Sequence, residues 1–158
     1  MDTKNNKKNT ENYKKYFNKL ENFVSSSSST PQNQSSITIN LSYQRIQDQD
    51  ASQLASILPN YHNLSTLRLE LIDSQIGSSG SSELGQSMIK CANLSYIALL
   101  LSDNLLQNEG ISQFMSSLMI CSSLTALNLN FSKSSFDEYK FYKKLFKIKR
   151  LVQYSMWC

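Results

Sequence analysis

The sequence predicts an α/β fold in which parallel strands alternate with helices in a stack of similar units. Two observations lead there. Apolar residues recur at an interval of thirty, and each interval holds a stretch of period two followed by one of period three to four. A third bounds the size: 158 residues, 40% of them apolar, fit one domain with a sizeable core.

The strand columns come first. Leu64, Leu94 and Leu124 are thirty apart, as are Ile37, Leu67, Ile97 and Leu127. Ile39, Leu69, Leu99 and Leu129 keep the interval, as do Leu41, Leu71, Leu101 and Phe131. Leucines at 67, 69 and 71 alternate with Arg68 and Glu70, the period of a strand. A single such unit cannot cover its own apolar face, so stacking is required.

Helix columns follow the strands. Leu54, Leu84 and Phe114 share the interval, then Leu58, Met88 and Leu118, then Tyr61, Cys91 and Cys121. Within a unit, positions 84, 88 and 91 are spaced four and three, an amphipathic stripe. Polar turns such as Asp73-Ser74-Gln75 link strand to helix, and Ser78 or Ser79 is expected to cap the second helix. Parallel strands joined by helical crossovers result.

The last unit is shorter. Its stripe Phe141, Leu145 and Ile148 follows Phe114, Leu118 and Cys121 by 27 residues. Leu151, Tyr154, Met156 and Cys158 then repeat the opening pattern, which predicts a terminal strand, the fifth.

On these residues the unit resembles the leucine-rich repeat of the long, ribonuclease-inhibitor-like class. The class places an Asn after the strand, then one residue, then an apolar residue; Asn104 and Leu106 match. Gln44, Ser74 and Ser134 stand at the equivalent place elsewhere, so that ladder is broken, and the strand pattern is two residues longer. The resemblance implies a short curved solenoid with strands on the concave side and helices on the convex side. It also implies a protein-binding role for the strand face.

Three regions are expected: a basic segment over 1–24, a Ser/Gln-rich linker over 25–34, and a repeat array over 35–158 of about four repeats plus a terminal strand. Tyr13, Phe17, Leu20 and Val24 are spaced as a helix, read as a cap on the first repeat. A disordered tail and a basic amphipathic helix are the alternatives.

Charge is segregated along the chain. Residues 1–33 carry a net +3, 34–132 a net −4 and 133–158 a net +5. A uniform nucleic-acid surface is not what this describes, and nucleic acid is not the expected partner. Lys140, Lys143, Lys144, Lys147, Lys149 and Arg150 read as the solvated face of the last helix, with an anionic surface site as the alternative.

The longest apolar run, Tyr96 to Leu101, is too short to span a membrane, and no signal segment is apparent. Three cysteines without CxxC spacing argue against a disulfide framework and against zinc, so a cytoplasmic chain is expected. Catalysis finds little support. His62 is the one histidine and no carboxylate pair frames it; no phosphate loop or nucleophile elbow occurs. Neither cofactor nor metal is expected. Cys91 and Cys121 read as small buried residues.

Residues between the strand leucines face the other way. They form the columns Ser36, Thr66, Tyr96, Ala126, Gln153; Thr38, Arg68, Ala98, Asn128, Ser155; and Asn40, Glu70, Leu100, Asn130, Trp157. The candidate binding residues are Arg68, Glu70, Tyr96, Leu100, Asn128 and Trp157, because exposed aromatics beside an Arg anchor interfaces. The expected function is a non-enzymatic protein-interaction scaffold for a protein partner. The alternative is the repeat portion of a larger signalling enzyme, such as one linked to a kinase. Partner identity and oligomeric state are not written in the sequence.

Overall fold

In the computed structural model, which describes residues 14–26, 33–135 and 137–157, the sheet and helices alternate throughout. The order is β1 (Lys14–Phe17), α1 (Leu20–Ser26), β2 (Ser36–Asn40), α2 (Asp48–Ile57), β3 (Thr66–Glu70), α3 (Ser78–Ile89), β4 (Tyr96–Leu100), α4 (Asn108–Ile120), β5 (Ala126–Asn130), α5 (Glu138–Leu145) and β6 (Gln153–Trp157). One turn of 3-10 helix, Leu58–Asn60, follows α2.

All six strands pair in parallel, each only with its neighbours in sequence. The thirty-residue interval becomes register: Ile37 lies opposite Leu67, Leu67 opposite Ile97 and Ile97 opposite Leu127. A slip of one residue would turn every leucine to solvent, so burial holds the register. Leu127 lies opposite Tyr154, across the 27-residue step.

One face of the sheet packs on the helices and the other is open. Ile37, Ile39, Leu67, Leu69, Ile97, Leu99, Leu127 and Leu129 join Leu54, Leu84, Phe114, Leu118, Phe141 and Leu145 in one buried cluster. Each such side chain contributes about 1.5–3 kcal/mol by leaving water, so the repeated columns dominate the stabilisation.

The N-terminal segment differs from the helix that its spacing suggests. Lys14–Phe17 is a strand that continues the sheet beside β2, and only Leu20–Ser26 is helical. Tyr13, the first of the four spaced residues, lies outside the described residues. Pairing gives β2 partners for backbone groups that an edge strand would leave bare. Phe17 and Phe23 are buried, with rings 5.1 Å apart edge to face, and Phe23 stacks on Tyr61 at 5.8 Å. Among the described residues the sheet therefore has six strands, and the strand expected as the fifth is the sixth.

Strand entries are tied by hydroxyls. Ser65 Oγ donates to the Ser35 carbonyl (3.0 Å), Ser95 Oγ to the Ser65 carbonyl (3.1 Å) and Thr125 Oγ1 to the Ser95 carbonyl (3.3 Å). Strand exits share a left-handed residue: Tyr43, Asp73, Asp103 and Lys133, thirty apart, have φ of 64°, 52°, 57° and 60°. That column marks a tight turn repeated in each unit.

The serine cap expected on α3 is not formed. Gly77 is the N-cap and Ser78 the first helical residue, with no side-chain cap. Instead the Gly77 N–H donates to Asp48 Oδ1 at 2.7 Å, across to the start of α2. Asn108 does the same for the Asp137 N–H at 2.6 Å. The free N–H groups of helix starts are thus met by the preceding unit.

The basic residues of the last unit are partly structural. Lys144 Nζ donates to the carbonyl (3.0 Å) and hydroxyl (2.5 Å) of Ser112. Arg150 Nη2 donates to the Leu118 carbonyl at 2.6 Å, on the last turn of α4. Among the described residues no helix is long and apolar enough to cross a membrane.

Candidate binding surface

The open face is built by alternation alone. Strands that bury Leu67 and Leu69, or Ile97 and Leu99, must present the intervening residues outward. Thr66, Arg68 and Glu70 on β3, Tyr96 and Leu100 on β4, and Asn128 and Asn130 on β5 are half-exposed. Ala98 is fully buried among them, since its methyl group is shorter than its neighbours.

Register sets the geometry of the predicted residues. Arg68 lies opposite Ala98, and Ala98 opposite Asn128. Glu70 lies opposite Leu100, Leu100 opposite Asn130, and Asn130 opposite Trp157. Tyr96 and Leu100 flank Ala98 along β4. Strands sit about 4.8 Å apart, so Arg68, Glu70, Tyr96, Leu100 and Asn128 form one contiguous group around Ala98. Trp157 does not join it: Asn130 separates it from Leu100, and Trp157 is 66% exposed at the sheet end.

Electrostatics at the centre are closed on themselves. Arg68 Nε donates to Glu70 Oε1 in an ion pair on the same strand face. The two charges cancel where Tyr96 and Leu100 supply the apolar area. Asn40 and Asn130 turn to their own chain exits: each Oδ1 accepts from the N–H two residues on, of Ser42 at 3.1 Å and of Ser132 at 3.0 Å. These asparagines hold turns.

Sequence reasoning missed the first rung of this face. Lys14 lies opposite Ser36 and Tyr16 opposite Thr38, extending the outer columns, and Tyr16 is 60% exposed. The signal was weak because Lys15 occupies the position opposite Ile37, where β2 to β5 carry Ile or Leu. Its Nζ lies 5.3 Å from the centre of the Phe17 ring, a cation–π contact that replaces apolar packing.

Other candidate groups are accounted for by packing. His62 is exposed, and its carbonyl accepts from Asn93 Nδ2 at 2.8 Å. Among the described residues no group of three or more His, Cys, Asp and Glu could hold a metal. Cys91 and Cys121 are buried, their thiols near the Ser87 and Ser117 carbonyls at 3.5 Å. Cys158 lies outside the described residues. Burial pushes the Cys91 thiol up to about 11 and the Cys121 thiol upward as well.

A thiol reagent tests that burial. At pH 8, a pKa of about 11 leaves about one Cys91 thiol in a thousand ionised. In a Cys158→Ser variant, Cys91 and Cys121 are expected to label only on the timescale of unfolding. Labelling at the rate of free cysteine in native buffer would show the helix ends open.

Protein-family models and curated proteins were both compared with the chain, and none matches it.

Proposed function

We propose that this chain is a non-enzymatic protein-interaction scaffold of the leucine-rich-repeat kind, with the strand face as its binding side. The sequential order of six parallel strands and the buried Asn104 after β4 support the repeat reading. The observation that carries the function is the group around Ala98. Tyr96 and Leu100 offer apolar area on a rigid sheet, ringed by Thr66, Asn128 and a self-neutralised Arg68–Glu70 pair. Rigid aromatic and aliphatic anchors within a polar rim are the makeup of an interface centre. The partner is a protein that buries this neutral patch by shape and apolar contact. A polyanion would find no net positive charge there.

The test pairs Tyr96→Ala with Leu100→Ala. Partner recovery from the native source is expected to fall about tenfold or more, the size of losing two interface anchors. Both side chains are half-exposed, so stability is expected to drop by only about 1 kcal/mol. Undiminished recovery of every co-purifying protein from the double mutant dismisses the patch.

A further inference from the structure

The two edges of the sheet are unlike. β1 carries Lys14 and Lys15 in four residues, and Lys15 stands in the column of Ile37, Leu67, Ile97 and Leu127. A lysine at an inward position of an outer strand guards it against pairing. β6 has Tyr154 in that column and no charged residue from Leu151 to Trp157. The Trp157 carbonyl accepts from the Phe131 N–H at 2.8 Å. By the alternation of a parallel strand, the backbone groups of Tyr154 and Met156 therefore turn away from β5. Among the described residues no strand meets them there.

Apolar surface is open beside that edge. Val152 is 84% exposed, Phe146 65% and Tyr154 49%. The Phe146 ring lies edge to face with Tyr154 at 6.1 Å and stacks on Tyr142 at 6.4 Å. Tyr139, Tyr142 and Phe146 are spaced three and four along α5 and its C-cap, a second stripe besides the buried Phe141 and Leu145. In the preceding unit, 27 residues earlier, Met115 and Met119 hold the places of Tyr142 and Phe146. Met115 is fully buried and Met119 partly so. The last unit thus presents a strand edge and a helix side, the two surfaces that interior units bury against a neighbour.

We propose that two copies of this chain join end to end through these surfaces, with β6 antiparallel to β6 of the second copy about a two-fold axis normal to the sheet. The backbone of Tyr154 then exchanges hydrogen bonds with that of Met156 in the second copy, and Ser155 meets Ser155 on the axis. Both helical layers lie on the same side, so the aromatic stripes of α5 come together. Charge selects this occupant and its direction. α5 opens on Asp137 and Glu138, while Lys143 and Lys147 at its far end are exposed. An antiparallel α5 sets the acidic start of each helix beside the basic end of the other. Stacking β6 on β1 of a further copy would instead put Lys14 and Lys15 against the apolar edge, and a net +3 over 1–33 beside a net +5 over 133–158. Tyr96 and Leu100 stay uncovered on the open face, and the inference is independent of the strand-face proposal.

Analytical ultracentrifugation of the full chain reads the result. A dimer is expected at about 100 μM, and Tyr154→Lys, which copies the guard of β1, is expected to weaken it by about tenfold or more. Phe146→Lys is the second variant, at a position more than half exposed, and is expected to act in the same direction. Unchanged thermal melting of either variant confirms that the fold is intact. Ser155→Cys in a Cys158→Ser background tests the axis. Facing residues of this kind in an antiparallel pair lie within reach of a disulfide, so mild oxidation is expected to link two chains at least about tenfold faster than with Cys at the exposed Ser79. A monomer at every concentration, oligomers that keep growing, or equal cross-linking at 155 and 79 overturns the proposal. So does a dimer that both lysine variants leave undiminished. A monomer that instead binds a strand-forming peptide of Val, Leu and Glu overturns it in favour of another protein's strand.

Discussion

Asn104→Ala is expected to cost about 2–6 kcal/mol, because two buried backbone groups of the preceding unit lose their partner and each costs about 1–3 kcal/mol when left bare. Asn104 Nδ2 donates to the carbonyls of Leu71 (2.7 Å), Leu101 (3.1 Å) and Ser102 (3.2 Å), while Oδ1 accepts from the Ile76 N–H at 3.0 Å. The side chain is buried and stitches the exit of β4 to that of β3. Alanine fills little of the space and offers neither donor nor acceptor. Equilibrium urea unfolding reads the loss, and amide exchange between residues 71 and 76 should accelerate before the rest of the sheet. A cost below about 1 kcal/mol would mean that water replaces the amide. The reciprocal change has the opposite sign. Ser74 stands thirty residues earlier, and its hydroxyl is buried without a partner among the described residues. Ser74→Asn supplies the missing reach towards β2 and is expected to stabilise by about 1 kcal/mol.

That asymmetry explains what could be read from the sequence. Ile37, Leu67, Ile97 and Leu127 meet on adjacent strands because apolar spacing controls burial, and burial controls register. Outward residues such as Arg68, Tyr96 and Leu100 follow from the same alternation. The strand Lys14–Phe17 was not legible, since Lys15 interrupts the alternation and pairing with β2 decides the conformation. Local helical spacing lost to a long-range partner. The cap of α3 misled for a related reason: serines favour helix starts locally, yet the acceptor came from Asp48 in the neighbouring unit. Trp157 was placed on the correct strand face, but its distance from Leu100 depends on the width of Asn130 and its strand. Polar cross-unit bonds such as that from Gly77 to Asp48 form only where the facing side chain happens to be polar, so the apolar period does not reveal them.

Gly110→Ala sets two known effects against each other. Alanine favours a helix interior over glycine by about 1 kcal/mol, so an exposed Gly→Ala change in α4 would stabilise. Here the added Cβ would lie 2.6 Å from the Ser78 Cα, a backbone atom that can yield only if α3 and α4 move apart. Overpacking of this kind costs about 1–3 kcal/mol, more than propensity returns. A net loss of stability is therefore expected, with Gly110→Val at or beyond the upper end. Gly77→Ala is the control, because its Cβ would meet only the Asp48 carboxylate, at 3.3 Å, a side chain that can give by a few tenths of an ångström and keep its bond to the residue 77 N–H. Thermal unfolding of the three variants separates the cases. A more stable Gly110→Ala would show that the α3–α4 seam has slack. The packing contrast with α5, which carries Lys140 rather than a glycine as its third residue, would then lose its cause. If the seam is tight, the helical layer is rigid up to α4 and yields only at the last unit.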